Sequence, residues 1–207
     1  MIPKLSDAKN NRLIIIQFLD DKELKTGYAL AGNVKQSSPY IEHVDYYESP
    51  KGKKILEIIE EEIPKIISDE DEIALYIDTH GFPSKNGIGH NHDFLSWEEL
   101  KKSIGEAFKN QKVPPIIILT ACNGYNFNNE LRKDKNPICS KLIASEGLLP
   151  DGIVMGAFSE LFYKYGIKLG SQEIDKLNQK IDEHNKKVKD TNFSHMIVAV
   201  YPVKESP

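Results

Sequence analysis

Two kinds of apolar pattern alternate along the chain. In one, four to six consecutive residues are apolar. In the other, apolar residues recur every three or four positions among charged ones. Leu13-Ile-Ile-Ile-Gln-Phe18, Ile73-Ala-Leu-Tyr-Ile77 and Pro115-Ile-Ile-Ile-Leu119 are of the first kind. Such runs leave no face for water and read as strands buried in the middle of a sheet. Tyr40 to Tyr47 mixes apolar and polar positions and reads as an edge strand. Of the second kind, Ile55, Leu56, Ile59, Ile63 and Ile67 predict a helix over Lys53–Ile67. Glu57 to Glu62 form its solvated face, and Pro64 kinks or ends it. Ser96-Trp-Glu-Glu99 is a capping box opening a helix whose core face is Trp97, Leu100, Ile104 and Phe108.

The polar, Gly-containing segment after Phe18 shows no element of its own, and Phe82–Phe94 reads as a loop or hairpin. Asn136-Pro137 suggests a cap and first turn. Ile138, Cys139, Leu142 and Ile143 would then face the core from a short helix that stops at Gly147. Gly152–Phe158 reads as the next strand. Ile174, Leu177, Ile181 and Val188 mark a last helix, and Phe193–Tyr201 a final strand. Strands alternating with helices predict an α/β fold in three layers: a mostly parallel six-stranded sheet with helices on both faces. No repeat or linker divides the 207 residues, so residues 1–207 are expected to form a single domain.

Composition adds constraints. The formal charge is −4, which argues against nucleic acid as a partner. No run approaches the length of a membrane span. Met1–Asn11 is polar rather than leader-like, and two cysteines, Cys122 and Cys139, cannot build a disulfide framework. A cytoplasmic protein, neither membrane-bound nor nucleic-acid-bound, is the expectation.

Two of the buried strands end in reactive residues. Ile73–Ile77 runs into Asp78-Thr79-His80-Gly81, and Pro115–Leu119 runs into Thr120-Ala121-Cys122-Asn123-Gly124. Parallel sheets bind ligands at the carboxyl ends of their strands. A thiol hydrolase needs a cysteine within reach of an acyl carbon and a histidine to move protons. It also needs N–H groups aimed at the developing oxyanion. Neighbouring strands would supply all three.

An apolar strand ending in Thr79-His80-Gly81, followed 42 positions later by Cys122 in Ala121-Cys122-Asn123-Gly124, resembles the caspase-like cysteine peptidases. That group includes caspases, metacaspases, gingipains, clostripain, separase and bacterial CHAT-domain proteases. A helix ending in Gly and then a strand, over Ile138–Phe158, looks most like the CHAT type. The resemblance implies a cysteine endopeptidase working through a Cys–His dyad and a covalent acyl-enzyme. In it Cys122 is the nucleophile, His80 the proton carrier, and the N–H groups of Gly81 and Cys122 the oxyanion hole. It implies no cofactor and no obligatory third residue; Asp78 is read as structural. The substrate would be a protein or peptide, and small bacterial relatives suggest an activating or sensor protein as partner. A catalytically silent caspase-like module serving as a binding or scaffold partner is the alternative.

The narrower caspase motif is not met, because Thr120 and Asn123 stand at its first and fourth positions. With Arg12 and Arg132 as the only arginines, specificity for aspartate is disfavoured. Candidates for the specificity pocket are Thr120, Phe158, Ser159 and Glu160: an acidic Glu160 would take a basic residue, and Phe158 with Tyr163 an apolar one. Cys139 reads as core, Gly89–Asp93 as a solvated loop, and His43, His184 and His195 as surface or strand residues. Gly87-Ile-Gly89 lacks the third glycine of a dinucleotide fingerprint. The polar segment Asn126–Asn136 should be exposed, either as a site of self-cleavage near Arg132-Lys133 or as an uncut surface loop. No three ligands have metal-site spacing. Peptide turnover should therefore survive chelation of transition metals, and a stoichiometric metal found in purified protein by elemental analysis would overturn this.

Overall fold

The computed structural model describes residues 10–19, 22–49, 52–82, 86–90, 93–188 and 191–201. Six strands form one sheet: β1 (Asn11–Phe18), β2 (His43–Glu48), β3 (Glu72–Thr79), β6 (Ile116–Thr120), β7 (Lys141–Ser145) and β8 (Met196–Val200). Their order is β2-β1-β3-β6-β7-β8. All neighbours are parallel except β7 and β8. A separate antiparallel hairpin pairs β4 (Gly87–His90) with β5 (Asp93–Ser96).

Alternation along the strands divides the core in two. Ile14, Ile16, Ile73, Leu75, Ile77, Ile117 and Leu119 point to one face. There they meet Ile55, Ile58, Ile59 and Ile63 of α2 (Gly52–Glu57), a π-helical turn at Ile58–Glu62 and α3 (Ile63–Ile66), and Trp97, Leu100 and Ile104 of α4 (Trp97–Ala107). Leu13, Ile15, Ala74, Tyr76, Ile118 and Ile143 point the other way. They meet α1 (Thr26–Ser37), α6 (Asp151–Tyr165) and α7 (Ser171–Asn185). The expected three-layer α/β arrangement is therefore present, with β1 and β3 almost wholly buried at its centre. β2 lies at one edge, as its mixed pattern suggested.

Four local readings need correction. Lys141–Ser145, expected within a helix, is strand β7, and Gly152–Phe158, expected as a strand, belongs to helix α6. Leu142, Ile143 and Ala144 are all buried, as in other central strands. Buried Val154, Ala157, Phe158, Leu161 and Phe162 follow helical spacing past the point where the strand reading stopped. The segment after Phe18 contains α1, whose buried Thr26, Gly27, Leu30, Ala31 and Val34 make a helical stripe of mostly small residues. The segment Asn126–Asn136 is only partly exposed. Its first half enters α5 (Phe127–Leu131), with Phe127, Asn128 and Leu131 buried, and only Arg132–Asn136 is open. Lys101 on α4 pairs with Glu130 and Asp134 at 3.2 and 3.0 Å, and Tyr201 donates to Asn128 Oδ1 at 2.6 Å.

At the amino ends of the central strands, Arg12 bridges Asp45 of β2 at 2.5 Å and Asp71, just before β3, at 3.2 Å. Burial pushes the Asp71 carboxyl up, but the Ser68 N–H, the Ser68 hydroxyl and Arg12 outweigh it and hold the group below the usual 3.8. A depressed carboxyl stabilises the fold above its unfolded value and loses that contribution as pH falls through the folded value. Asp71→Ala is expected to cost about 3 kcal/mol by leaving Arg12 short of a partner. It should also flatten the loss of stability below about pH 4. Urea unfolding at several pH values measures both, and an unchanged acid limb would refute the assignment.

Candidate active site

β3 and β6 are neighbours in register, Asp78 opposite Thr120. Their extensions past the sheet bring the two reactive segments together. A β-carbon built on Gly81 would lie 1.6 Å from the Cys122 carbonyl oxygen, so only glycine lets these strand ends pack as they do. Gly81 also bridges Ile88 of the hairpin. The bridge is made by Phe82 N–H to Gly87 O and Gly89 N–H to His80 O, both 3.1 Å, so the Gly81 N–H is not part of it. His90 and Asp93 pair across this hairpin, while Asn91 and His92 of the expected loop lie outside the described residues.

After Cys122 the chain turns sharply. Asn123 adopts φ 59°, the one positive-φ residue other than glycine among the described residues. Asparagine tolerates this region better than most side chains. The Asn123 N–H reaches Gly147 O at 3.0 Å, and a short 3-10 turn, Gly124–Asn126, leads on to α5. Cys122 is partly accessible and Cys139 is buried just before β7, core as expected though not on a helix. Burial raises the Cys122 thiol above its ordinary value. The Leu149 N–H and its own N–H favour the thiolate, while the Asp151 carboxylate opposes it. Burial alone pushes the Cys139 thiol up to about 12. Burial among protein atoms likewise raises Asp151, although one side of it is open to water; His80 lowers it and Glu23 raises it.

His80 is not alone. Its Nε2 lies 2.7 Å from Glu23 Oε1, on the loop between β1 and α1. Asp78, two residues earlier on the same strand, is buried and accepts from Thr26 Oγ1 at 2.5 Å, Gly27 N–H at 2.7 Å and Thr120 Oγ1 at 3.2 Å. Burial nevertheless raises its carboxyl above the usual value. Neither Glu23 nor Asp151 was singled out from sequence. Glu23 sits in a charged run, Asp20-Asp21-Lys22-Glu23, that looks like any surface loop. Asp151 was hidden by the strand reading of the residues after it.

The pocket candidates scatter. Thr120 is buried beside the site, its hydroxyl donating to Ile77 O at 3.1 Å and to Asp78. Phe158, Ser159 and Glu160 follow Asp151 by two helical turns or more, roughly 10 Å along α6. Phe158 is fully buried edge-on to Tyr76, with ring centroids 5.5 Å apart. Ser159 accepts from Asn33 Nδ2 at 3.3 Å. Glu160 is paired with Lys164 and Lys180, which hold its carboxyl down at about 2. Already bound to two ammonium groups, it offers no free charge to a basic residue.

No family model and no curated protein matches this chain. Among solved structures, caspase-1 from Spodoptera frugiperda is similar with a TM-score of 0.59 over 94% of this chain and 86% of that one, at 12% identity. The fold is caspase-like. The narrower likeness to the CHAT type rested on a helix followed by a strand over Ile138–Phe158. The chain runs strand then helix there, which removes that ground. No described helix is long and apolar enough to cross a membrane.

The two thiols give a direct test of this geometry. Iodoacetamide is expected to modify Cys122 in the native protein and to spare Cys139 until it unfolds. Because the Cys122 thiol is raised, its alkylation at about pH 7.5 should be slower than that of a free thiol and should climb above the ordinary cysteine range. Asp151→Asn should speed it. Native labelling of Cys139 ahead of Cys122, read by peptide mass spectrometry, would contradict the placement.

Proposed function

We propose that the protein is a cysteine endopeptidase that cleaves a protein or peptide substrate through Cys122 and His80. The observation that carries the reading is the contact of Gly81 with the Cys122 carbonyl, which joins the two reactive strand ends on a caspase-like sheet.

In the proposed reaction the Cys122 sulfur attacks the scissile carbonyl carbon and its proton passes to His80. The carbonyl oxygen becomes an oxyanion facing the N–H groups of Gly81 and Cys122. Collapse breaks the C–N bond, His80 gives the proton to the leaving amine, and an acyl-enzyme remains. Water then attacks the thioester, losing a proton to His80. The second collapse expels the thiolate, which recovers that proton. Atoms and protons balance without a cofactor.

One observation favours the second reading, a silent scaffold. The Cys122 thiol is raised, so little thiolate is present at neutral pH until a substrate or partner alters its surroundings. An activating protein partner would reconcile the two readings by displacing the Asp151 carboxylate from Cys122. Cytoplasmic residence remains part of the proposal.

Cys122→Ala and His80→Ala are each expected to lower cleavage of a random peptide library to background, with melting temperatures within a few degrees of wild type. Cys139→Ala should keep turnover and lose about 1 kcal/mol of stability or somewhat more, as small core truncations do. A wild-type protein that neither cleaves the library nor takes up an electrophilic peptide probe at Cys122 would favour the scaffold.

A further inference from the structure

We infer that Glu23 is a positioning residue for His80, its carboxylate fixing the imidazole with the proton on Nε2 and leaving Nδ1 for exchange with Cys122; this deepens the peptidase reading and rests on it.

The 2.7 Å separation of Glu23 Oε1 and His80 Nε2 is that of a charge-assisted hydrogen bond. A neutral imidazole donates from one nitrogen and accepts at the other, so a carboxylate at Nε2 selects the Nε2–H form. A carboxylate cannot donate, and the opposite tautomer would set two lone pairs face to face. The free lone pair then belongs to Nδ1.

Loose ion pairs on a surface do little, and both side chains here are about one-third exposed, 39% for His80 and 34% for Glu23. What distinguishes this pair is how the Glu23 loop is held. Thr26 N–H turns back to Leu24 O at 2.9 Å. The Thr26 hydroxyl and Gly27 N–H are bound by buried Asp78, and Tyr28 N–H by Gln17 Oε1 at 3.2 Å. Lys25 pairs with Glu48 of β2. Every residue from Leu24 to Tyr28 is thus tied to a strand or to its neighbour. Asp78 stands two residues before His80 on β3, so the strand that carries the histidine also anchors the loop that grips it. Asp151, the other nearby carboxylate, acts on His80 only across space.

The test reads the ring directly, apart from turnover. In protein with nitrogen-15 histidine at about pH 8, above the usual imidazole range, two-bond nitrogen–proton spectra should show His80 in the Nε2–H form. Glu23→Ala should abolish that bias. Glu23→Gln, whose amide oxygen still accepts, should largely keep it. On a cleaved peptide Glu23→Ala should lower kcat by roughly 10²-fold, the low end of a general acid–base contribution, with KM little changed. An unchanged tautomer in folded Glu23→Ala protein would overturn the inference whether or not peptides are cleaved. A lost bias in a chain that cleaves nothing would uphold the positioning of the ring and count only against the peptidase reading.

Discussion

The carboxylate of Asp78 is the joint on which the reactive end of the sheet depends. It sits on the most central strand, buried, and accepts from residues on α1 and on β6. Through these bonds it closes the β1–α1 crossover onto β3 and ties β3 to the strand that leads to Cys122. A buried carboxylate is costly unless its oxygens are satisfied, and satisfaction here demands that three separate segments arrive in one place. The arrangement is therefore cooperative. Loss of any one donor leaves the acid under-bonded and weakens the hold on the other two.

The same end of the sheet is where steric tolerance is lowest. Gly81 meets the Cys122 carbonyl at a distance that excludes a side chain, and Asn123 takes a left-handed backbone immediately afterwards. Close approach on one strand and a sharp turn on the next place two short polypeptide segments side by side without a loop to span them. Strain and tight packing of this kind gather at sites where geometry matters more than stability. Four ionisable groups, Glu23, His80, Cys122 and Asp151, share this small region, and the acidic members bias it against a thiolate at rest.

Much of this was legible from the chain alone, and the reasons differ by element. β1, β3 and β6 announced themselves because burial on both faces leaves an unbroken apolar run, and the two reactive residues stand directly after such runs. The capping box at Ser96 is a local chemical signal and was read correctly. Residues Ile138–Phe158 failed because short apolar runs carry no period. Gly152 and Gly156 argued against a helix, yet both lie on its exposed side, where they cost little packing. Alpha-1 was missed because its buried face is built from Thr26, Gly27 and Ala31, too small to register as a hydrophobic stripe. Glu23 carried no signal at all: its meeting with His80 is set by the pairing of β1 with β3, not by neighbours in sequence.

The π-helical turn at Ile58–Glu62 has its own arithmetic. Ile55, Ile59, Ile63 and Ile67 are spaced strictly by four, and in an α-helix each such step drifts by about 40° around the axis. Three steps would carry Ile67 about 120° away from Ile55, out of the layer that covers the sheet. A wider turn rotates less per residue and takes up part of the drift, so the isoleucines stay nearer one side. Pro64, which lacks the N–H an α-helix would require of it, falls just after the widened turn. In evolutionary terms the turn behaves as a single-residue insertion that the helix has absorbed. A one-residue deletion between Ile58 and Glu62 would restore regular winding and, in doing so, turn Ile63 and everything after it by about a quarter of a revolution.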